Sequence, residues 1–370
     1  MNQLHLACVV GARPNFMKMA PLLRALAEYP RVRTTLVHTG QHYDANLSDV
    51  FFDELEMPHP DISLEVGSGK HGRQTARVIE RFEEMLETLA VTGKPVDRVV
   101  VVGDVNSTMA ATLAAVKLYV PVAHVEAGLR SFDRTMPEEI NRIVTDSLCD
   151  MLLVSEPSGV ENLRREGHAD RHIHLVGNVM IDTLLRLLPK AKSSDALSRL
   201  KVNPGEYGVV TLHRPSNVDQ PETLGPLVDV LTQASWRLPM VFPVHPRTQA
   251  RLEQFGLAQR VAAASGIIQT EPLGYLDFLA LTSQAKVIVT DSGGLQEEST
   301  VLGIPCLTAR SNTERPVTVE QGTSTLVGNN PEKLRAGLNA VLDGDYKAGQ
   351  CPALWDGRAA ERIAQVIAGA

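Results

Sequence analysis

Leu4-His5-Leu6-Ala7-Cys8-Val9-Val10 runs directly into Gly11-Ala12-Arg13-Pro14-Asn15, and an amphipathic stretch over 15–28 follows. A short apolar run, a polar turn holding Gly and Pro, and a helical pattern together open a βαβ unit. The same order returns along the chain. Further strand-like runs lie at 33–38, 98–102, 121–125, 151–154, 173–176, 207–212, 240–244, 286–290 and 304–307. Helical patterns at 72–90, 106–118, 137–148, 222–236 and 293–302 separate most of them. Strands alternating with helices predict an α/β fold with parallel sheets covered on both faces. Strands this numerous suit two doubly wound sheets better than one.

The boundary between them is expected near 177–205. Gly177-Asn178 ends a strand, a helical stretch follows, and the polar segment Lys190 to Pro204 precedes the next strand. This predicts an N-terminal domain over 1–177 and a second over 178–355, with a last helical pattern at 356–369 free to pack on either. A chain of 370 residues has core enough for two domains. Its 36 basic and 43 acidic residues give a net charge of −7, which argues against nucleic-acid or anionic-membrane binding. No apolar run approaches the roughly 18 residues that span a bilayer. Met1 to His5 lacks a basic n-region, so no secretory signal is expected. The four cysteines are far apart, which predicts free thiols of a reducing cytosol rather than a zinc site or disulfide framework.

In parallel sheets, ligands bind beyond the carboxyl ends of the strands, and the unusual residues gather there. Asp291-Ser292-Gly293-Gly294 follows Val287-Ile288-Val289-Thr290 and opens a helix. Glycines let a backbone approach a phosphate, and a helix start favours anions; an Asp or Ser N-cap explains the same residues. Asp104 and Glu126 follow consecutive strands, so two carboxylates can share a pocket and divide acid and base work. Their structural alternatives are an N-cap for Asp104 and an Arg130 partner for Glu126. Met136-Pro137-Glu138-Glu139 reads as a helix start with Pro at N1, and Glu138 to Arg142 has the spacing of an i,i+4 ion pair. His213 and His245 each end a strand, where a histidine can move protons or bind phosphate. Gly67-Ser68-Gly69-Lys70-His71-Gly72 matches G-x-G-x-x-G, yet it follows a half-polar segment, and the acids after it lie inside a helix. That context excludes a dinucleotide fingerprint. No P-loop occurs, and no histidine and carboxylate spacing suggests a metal site.

The order of GARPNFMKMAPL at 11–22, GQHYD at 40–44, GDVNST at 103–108, HVEAGLRSFD at 124–133, MPEEINR at 136–142, GNVMIDT at 177–183, TLHRPSNVD at 211–219, TDSGGLQEES at 290–299 and NTERP at 312–316 resembles the non-hydrolysing UDP-N-acetylglucosamine 2-epimerases over almost the whole chain. The resemblance implies two Rossmann-like domains facing across a cleft, as in GT-B glycosyltransferases, with a C-terminal helix crossing back to the first. It implies a cytoplasmic homodimer with no redox cofactor, acting on a UDP-sugar. The implied reaction interconverts UDP-GlcNAc and UDP-ManNAc through UDP and 2-acetamidoglucal.

By the same resemblance, Asp104, Glu126 and Glu138 move protons or stabilise the oxocarbenium-like state, and His213 serves near the pyrophosphate. Arg13 and Lys18 form the floor, Ser292, Gly293 and Gly294 the phosphate cradle, and Glu298 the ribose contact. Arg142, His245 and Arg315 bind substrate. Gln41, His42, Arg73, Gln74 and Arg214, again with His245, match an allosteric site of some members. Tyr43-Asp44 stand where that site has Arg and Gln, which puts allosteric control in doubt. GQHYD also occurs in relatives acting on UDP-2,3-diacetamido-2,3-dideoxy-glucuronate, so the substituents at C3 and C6 stay open. A GT-B glycosyltransferase is the alternative of another class.

Overall fold

The computed structural model describes residues 3–40, 52 and 54–369. Thirteen strands are described, and all pair in parallel. The first seven are β1 (Leu4–Val10), β2 (Val32–His38), β3 (Ile62–Ser63), β4 (Arg98–Val102), β5 (Val122–Ala127), β6 (Met151–Val154) and β7 (Ile173–Leu175). They form one sheet in the order β3-β2-β1-β4-β5-β6-β7. The other six are β8 (Gly208–Thr211), β9 (Met240–Pro243), β10 (Ile267–Thr270), β11 (Val287–Thr290), β12 (Cys306–Thr308) and β13 (Ser324–Leu326). Their order is β10-β9-β8-β11-β12-β13. Each order reverses direction once, between β1 and β4 and between β8 and β11. Those switch points open a crevice at the strand carboxyl ends.

The apolar runs are buried because helices cover both sheet faces. Val99, Val100, Val101 and Val102 are fully buried, as are Val287, Ile288 and Val289. Three strands were not anticipated from the sequence: β3, β10 and β13. Each lies at a sheet edge, where one flank stays open and a continuous apolar run is not required. Ile267-Ile268-Gln269-Thr270 is only half-buried for that reason.

The chain divides into two compact units, Met1–Thr183 with Ala353–Ala370, and Leu184–Pro352. The division falls inside the helix Val179–Ala191. Three contacts tie the C-terminal segment into the first unit. Asp182 accepts hydrogen bonds from the N–H groups of Ala359 (3.1 Å) and Ala360 (2.7 Å) at the start of the helix Ala359–Gly369. The buried Trp355 donates from Nε1 to the Ser155 carbonyl at 3.1 Å. Gly177, at φ +88°, lies so close that a Cβ would stand 2.1 Å from the Leu354 carbonyl oxygen. Among the described residues no helix is long and apolar enough to cross a membrane.

Candidate functional site

In the first unit the polar residues gather at the β1/β4 switch point. Asn15 accepts hydrogen bonds from the N–H groups of Gly11 and Ala12, both at 3.0 Å, and donates to the Val102 carbonyl at 2.9 Å. One side chain thus joins the loop after β1 to the end of β4. Lys18 lies three residues along the helix Arg13–Ala27, on the same face as Asn15, and its ammonium pairs with the Glu126 carboxylate. Both are buried. The Glu126 backbone has φ +73°, at an irregularity in the β5–β6 pairing between Val125 and Ala127. A non-glycine residue held there stores strain of a kind that clusters at functional sites. Arg13 is the exposed first residue of its helix.

Asp104 caps no helix; the N-cap position of the following helix is Val105. Its Oδ2 accepts instead from Arg142 Nη1 at 2.5 Å, and its side chain keeps 28% exposure, so it stays open to a ligand. The expected Glu126–Arg130 pair does not form. Arg130 pairs with Asp146 (2.7 Å) and Glu166 (2.6 Å), while Lys18 takes Glu126. The expected Glu138–Arg142 pair does not form either. Arg142 turns to Glu139, with Nε at 3.0 Å and Nη2 at 2.6 Å from Oε2. Glu139 also accepts from the N–H groups of Ser131 (2.9 Å) and Phe132 (2.8 Å). Burial pushes the Glu139 carboxyl up, but these donors and Arg142 hold it below the usual carboxylate range. Glu138, one residue earlier on the helix Pro137–Leu148, is left half-buried and outside that lattice.

Gln41 and His42 lie outside the described residues. Gln74 is buried and accepts from Asn106 Nδ2 at 2.9 Å, whereas Arg73 is exposed. Sequence reasoning missed Asn15, Asn141 and Glu139 as organisers. Asn141 donates to the Asp104 carbonyl at 2.8 Å. Their signal was present in the quoted motifs, but nothing in a linear sequence says which of two adjacent acids turns inward.

In the second unit the centre is Asp291, at the end of β11. It is buried, and its Oδ2 accepts from the N–H groups of His213 (2.9 Å) and Arg214 (2.8 Å) and from Asn217 Nδ2 (3.0 Å). Its Oδ1 lies 2.8 Å from His213 Nδ1. Burial pushes the Asp291 carboxyl up, but the His213 and Asn217 partners bring it below its ordinary value. The Asp–His contact leaves His213 Nε2 for a ligand, on a side chain 40% exposed. His245 is exposed and caps the helix Pro246–Gln254 by accepting from the Arg247 N–H at 3.1 Å. Its ring centroid is 5.6 Å from that of His213. Partial burial and the His213 charge hold its pKa below the ordinary histidine value.

Ser292 is the N-cap of the helix Gly293–Leu302, with no side-chain cap bond, and its N–H donates to Thr290 Oγ1 at 3.0 Å. The following N–H groups form a helix N-terminus suited to anions. A Cβ on Gly293 would lie 2.9 Å from Glu314 Oε1 and 3.3 Å from Arg315 Nη1. A larger residue here would have to displace the Glu314 carboxylate. Beneath it, Arg315 pairs with Glu297 and Glu314, each at 2.6 Å, and Arg310 with Glu314 at 2.6 Å. Glu298 is buried and accepts from Tyr275 Oη at 3.0 Å. Among the described residues no group of three or more His, Cys, Asp or Glu side chains is arranged to hold a metal ion.

The sequence pattern of the UDP-N-acetylglucosamine 2-epimerase family matches residues 24–368. The chain belongs to this family. It is 41% identical over 369 residues to the UDP-N-acetylglucosamine 2-epimerase of Methanocaldococcus jannaschii, covering 98% of this chain and 99% of that one. It is 38% identical to the UDP-2,3-diacetamido-2,3-dideoxy-D-glucuronate 2-epimerase of Pseudomonas aeruginosa, covering 97% and 98%. Among solved structures, the M. jannaschii UDP-GlcNAc 2-epimerase in complex with UDP-GlcNAc and UDP has a TM-score of 0.89 at 39% identity, covering 99% of this chain and all of that one. The fold of this 2-epimerase family member is therefore GT-B-like, with two parallel Rossmann-like sheets. A UDP-glucosyltransferase of Polygonum tinctorium, at 13% identity and a TM-score of 0.61, shares the fold alone.

Proposed function

We propose that the chain is a non-hydrolysing UDP-GlcNAc 2-epimerase, an isomerase interconverting UDP-GlcNAc and UDP-ManNAc. The observation that carries this reading is identity near 40% along the entire chain to 2-epimerases, one of them solved with UDP-GlcNAc and UDP bound. The acids at the β1/β4 switch and the His213–Asp291 centre at the β8/β11 switch supply chemistry that fits it.

C2 of the sugar has no carbonyl neighbour, so direct deprotonation is too costly. Breaking the C1–O bond expels UDP, a base removes the C2 proton, and the electron pair of the C2–H bond forms C1=C2. UDP then adds back to C1 while a proton is delivered to the other face of C2. Two faces demand more than one proton carrier, and Asp104, Glu126 and Glu138 are the candidates. Asp104 is held by Arg142 and Glu126 by Lys18, so each carboxylate has a basic partner in the resting site. The departing diphosphate gains negative charge. His213, together with the amides after Ser292, supplies donors for it, with Arg13, Arg142, His245 and Arg315 as further substrate contacts. Glu298 is assigned to the ribose hydroxyls.

This reading assigns UDP binding to residues 178–355 and the acids to residues 1–177, with 356–370 returning to that first domain. It includes a cytoplasmic homodimer supplying a hexosamine for surface polysaccharide. Resemblance to the P. aeruginosa relative favours a second reading, in which the sugar carries a modified C3 and C6.

NMR of UDP-GlcNAc with the protein in D2O tests the function. Reversible formation of UDP-ManNAc with deuterium at C2 is expected. Accumulation of free UDP and ManNAc, or turnover only with an added acceptor, would replace this reading with hydrolysis or glycosyl transfer.

A further inference from the structure

His124 lies in β5, two residues before Glu126, and it is wholly buried. Its Nε2 is 2.8 Å from the Gly103 carbonyl oxygen, and its Nδ1 is 2.6 Å from Asp146 Oδ1. A carbonyl only accepts, and so does a carboxylate. Filling both bonds therefore needs a hydrogen on each ring nitrogen.

The surrounding groups favour that charge state. Asp146 is also wholly buried, and its Oδ2 accepts from the Gly128 N–H (3.0 Å) and faces Arg130 Nη1 (2.7 Å). Burial pushes the Asp146 carboxyl up, but His124 and Arg130 hold it below its ordinary value. Arg130 in turn pairs with Glu166 through Nε (2.8 Å) and Nη2 (2.6 Å). With His124 protonated, two cations and two anions balance; with it neutral, the cluster carries one excess negative charge. Cys149, the other titratable group beside Asp146, is pushed well above its ordinary pKa by burial and stays a neutral thiol. A neutral imidazole would leave Asp146 with one cation fewer and one of the two acceptors without a donor.

The location gives this charge a role. Gly103 has φ +68° and precedes Asp104, and Gly128 is two residues after Glu126. The imidazole and its carboxylate partner thus grip the backbone on both sides of the two acids. We propose that His124 is a positioning residue, kept as an imidazolium, whose two N–H groups clamp the Gly103 turn to Asp146 and so hold Asp104 and Glu126 in place for proton transfer. Its kinetic consequence rests on the epimerase reading; its charge does not.

NMR of the full chain carrying 15N-labelled histidine reads the ring directly. Both His124 nitrogens should carry hydrogen in the folded protein at neutral pH, since each faces an acceptor. A ring with one bare nitrogen overturns the proposal. His124→Gln keeps its donors on one amide nitrogen and turns a carbonyl oxygen to the other side, so it cannot bridge both acceptors and should displace the Gly103 and Asp104 amide resonances. It should also lower kcat at least about tenfold while KM moves less than about threefold, because this ring is wholly buried with both nitrogens turned to protein acceptors. A kcat within about twofold of the parent, in a folded variant, overturns it equally. Should His124→Gln fail to fold, the parent ring spectrum alone decides. Should the parent protein epimerise no UDP-hexosamine, the functional reading falls, and the ring spectrum with the Gly103 amide shift still decides for His124.

Discussion

His213 Nδ1 faces Asp291 Oδ1 at 2.8 Å, while Oδ2 of the same carboxylate accepts the His213 backbone N–H at 2.9 Å. One buried acid therefore lies against the ring and fixes the turn that carries it. Asp291→Asn should leave the ring poorly oriented, since the charge beside Nδ1 is gone. We expect kcat to fall roughly a hundredfold or more, as when a histidine loses its orienting carboxylate. Wild-type turnover by a folded Asp291→Asn protein would refute the assignment. The Asp291 carboxyl is depressed below 3.8 in the folded chain. Its contribution to stability is thus present above that pH and is lost only as pH falls through the depressed value.

Asp104→Asn should abolish deuterium wash-in at C2, or slow it by at least about a hundredfold, because a general acid or base has been removed. Affinity for UDP should stay nearly unchanged, measured by calorimetric titration, since the diphosphate is assigned to the second unit. Arg142 keeps Glu139 as a partner in the variant. Unchanged exchange would remove Asp104 from the mechanism.

Gly103→Ala should harm activity more than stability. Its φ of +68° costs an L-residue about 1–2 kcal/mol. The new Cβ would stand 3.0 Å from Lys18 Nζ and 3.5 Å from Glu126 Oε2. The Lys18–Glu126 pair must then shift. Thermal unfolding should change modestly while kcat drops about tenfold or more; a change in stability alone, at full kcat, would refute the crowding argument.

Asp182 should make the anchorage of the C-terminal helix respond to pH. Burial pushes its carboxyl from 3.8 up to about 6, opposed by the N–H groups of Ala360 and Ala359. A folded-state value above the unfolded one means that the folded chain takes up the proton first. Stability from this group is then complete below 3.8 and is lost as pH rises through about 6. Hydrogen exchange of the Ala359–Gly369 amides should slow as pH falls through that window, after correction for the intrinsic rate. Asp182→Asn should flatten the dependence. Parallel profiles for the two proteins would contradict it.

The central strands were legible because a parallel strand buried on both faces must be apolar throughout; Arg98-Val99-Val100-Val101-Val102 admits little else. The edge strands β3, β10 and β13 were not, since an edge tolerates Ser, Thr and Gln. The helix Pro137–Leu148 was read to the residue from Pro at N1 and the acids after it. Its ion pair was not, because spacing cannot distinguish Glu138 from Glu139 once Ser131, Phe132 and Arg142 compete for a carboxylate.

Local chemistry written in the chain thus sufficed for the α/β class, for the clusters at strand ends and for the family likeness, since strand burial, turn residues and phosphate-suited glycines act over a few neighbours. Partner choice among charges came only from packing. Lys18 meets Glu126 across 108 positions, His213 meets Asp291 across 78, and His124 finds Gly103 in the turn after the neighbouring strand. A buried charge is stable only beside the group that compensates it, and which group that is depends on how distant segments stack.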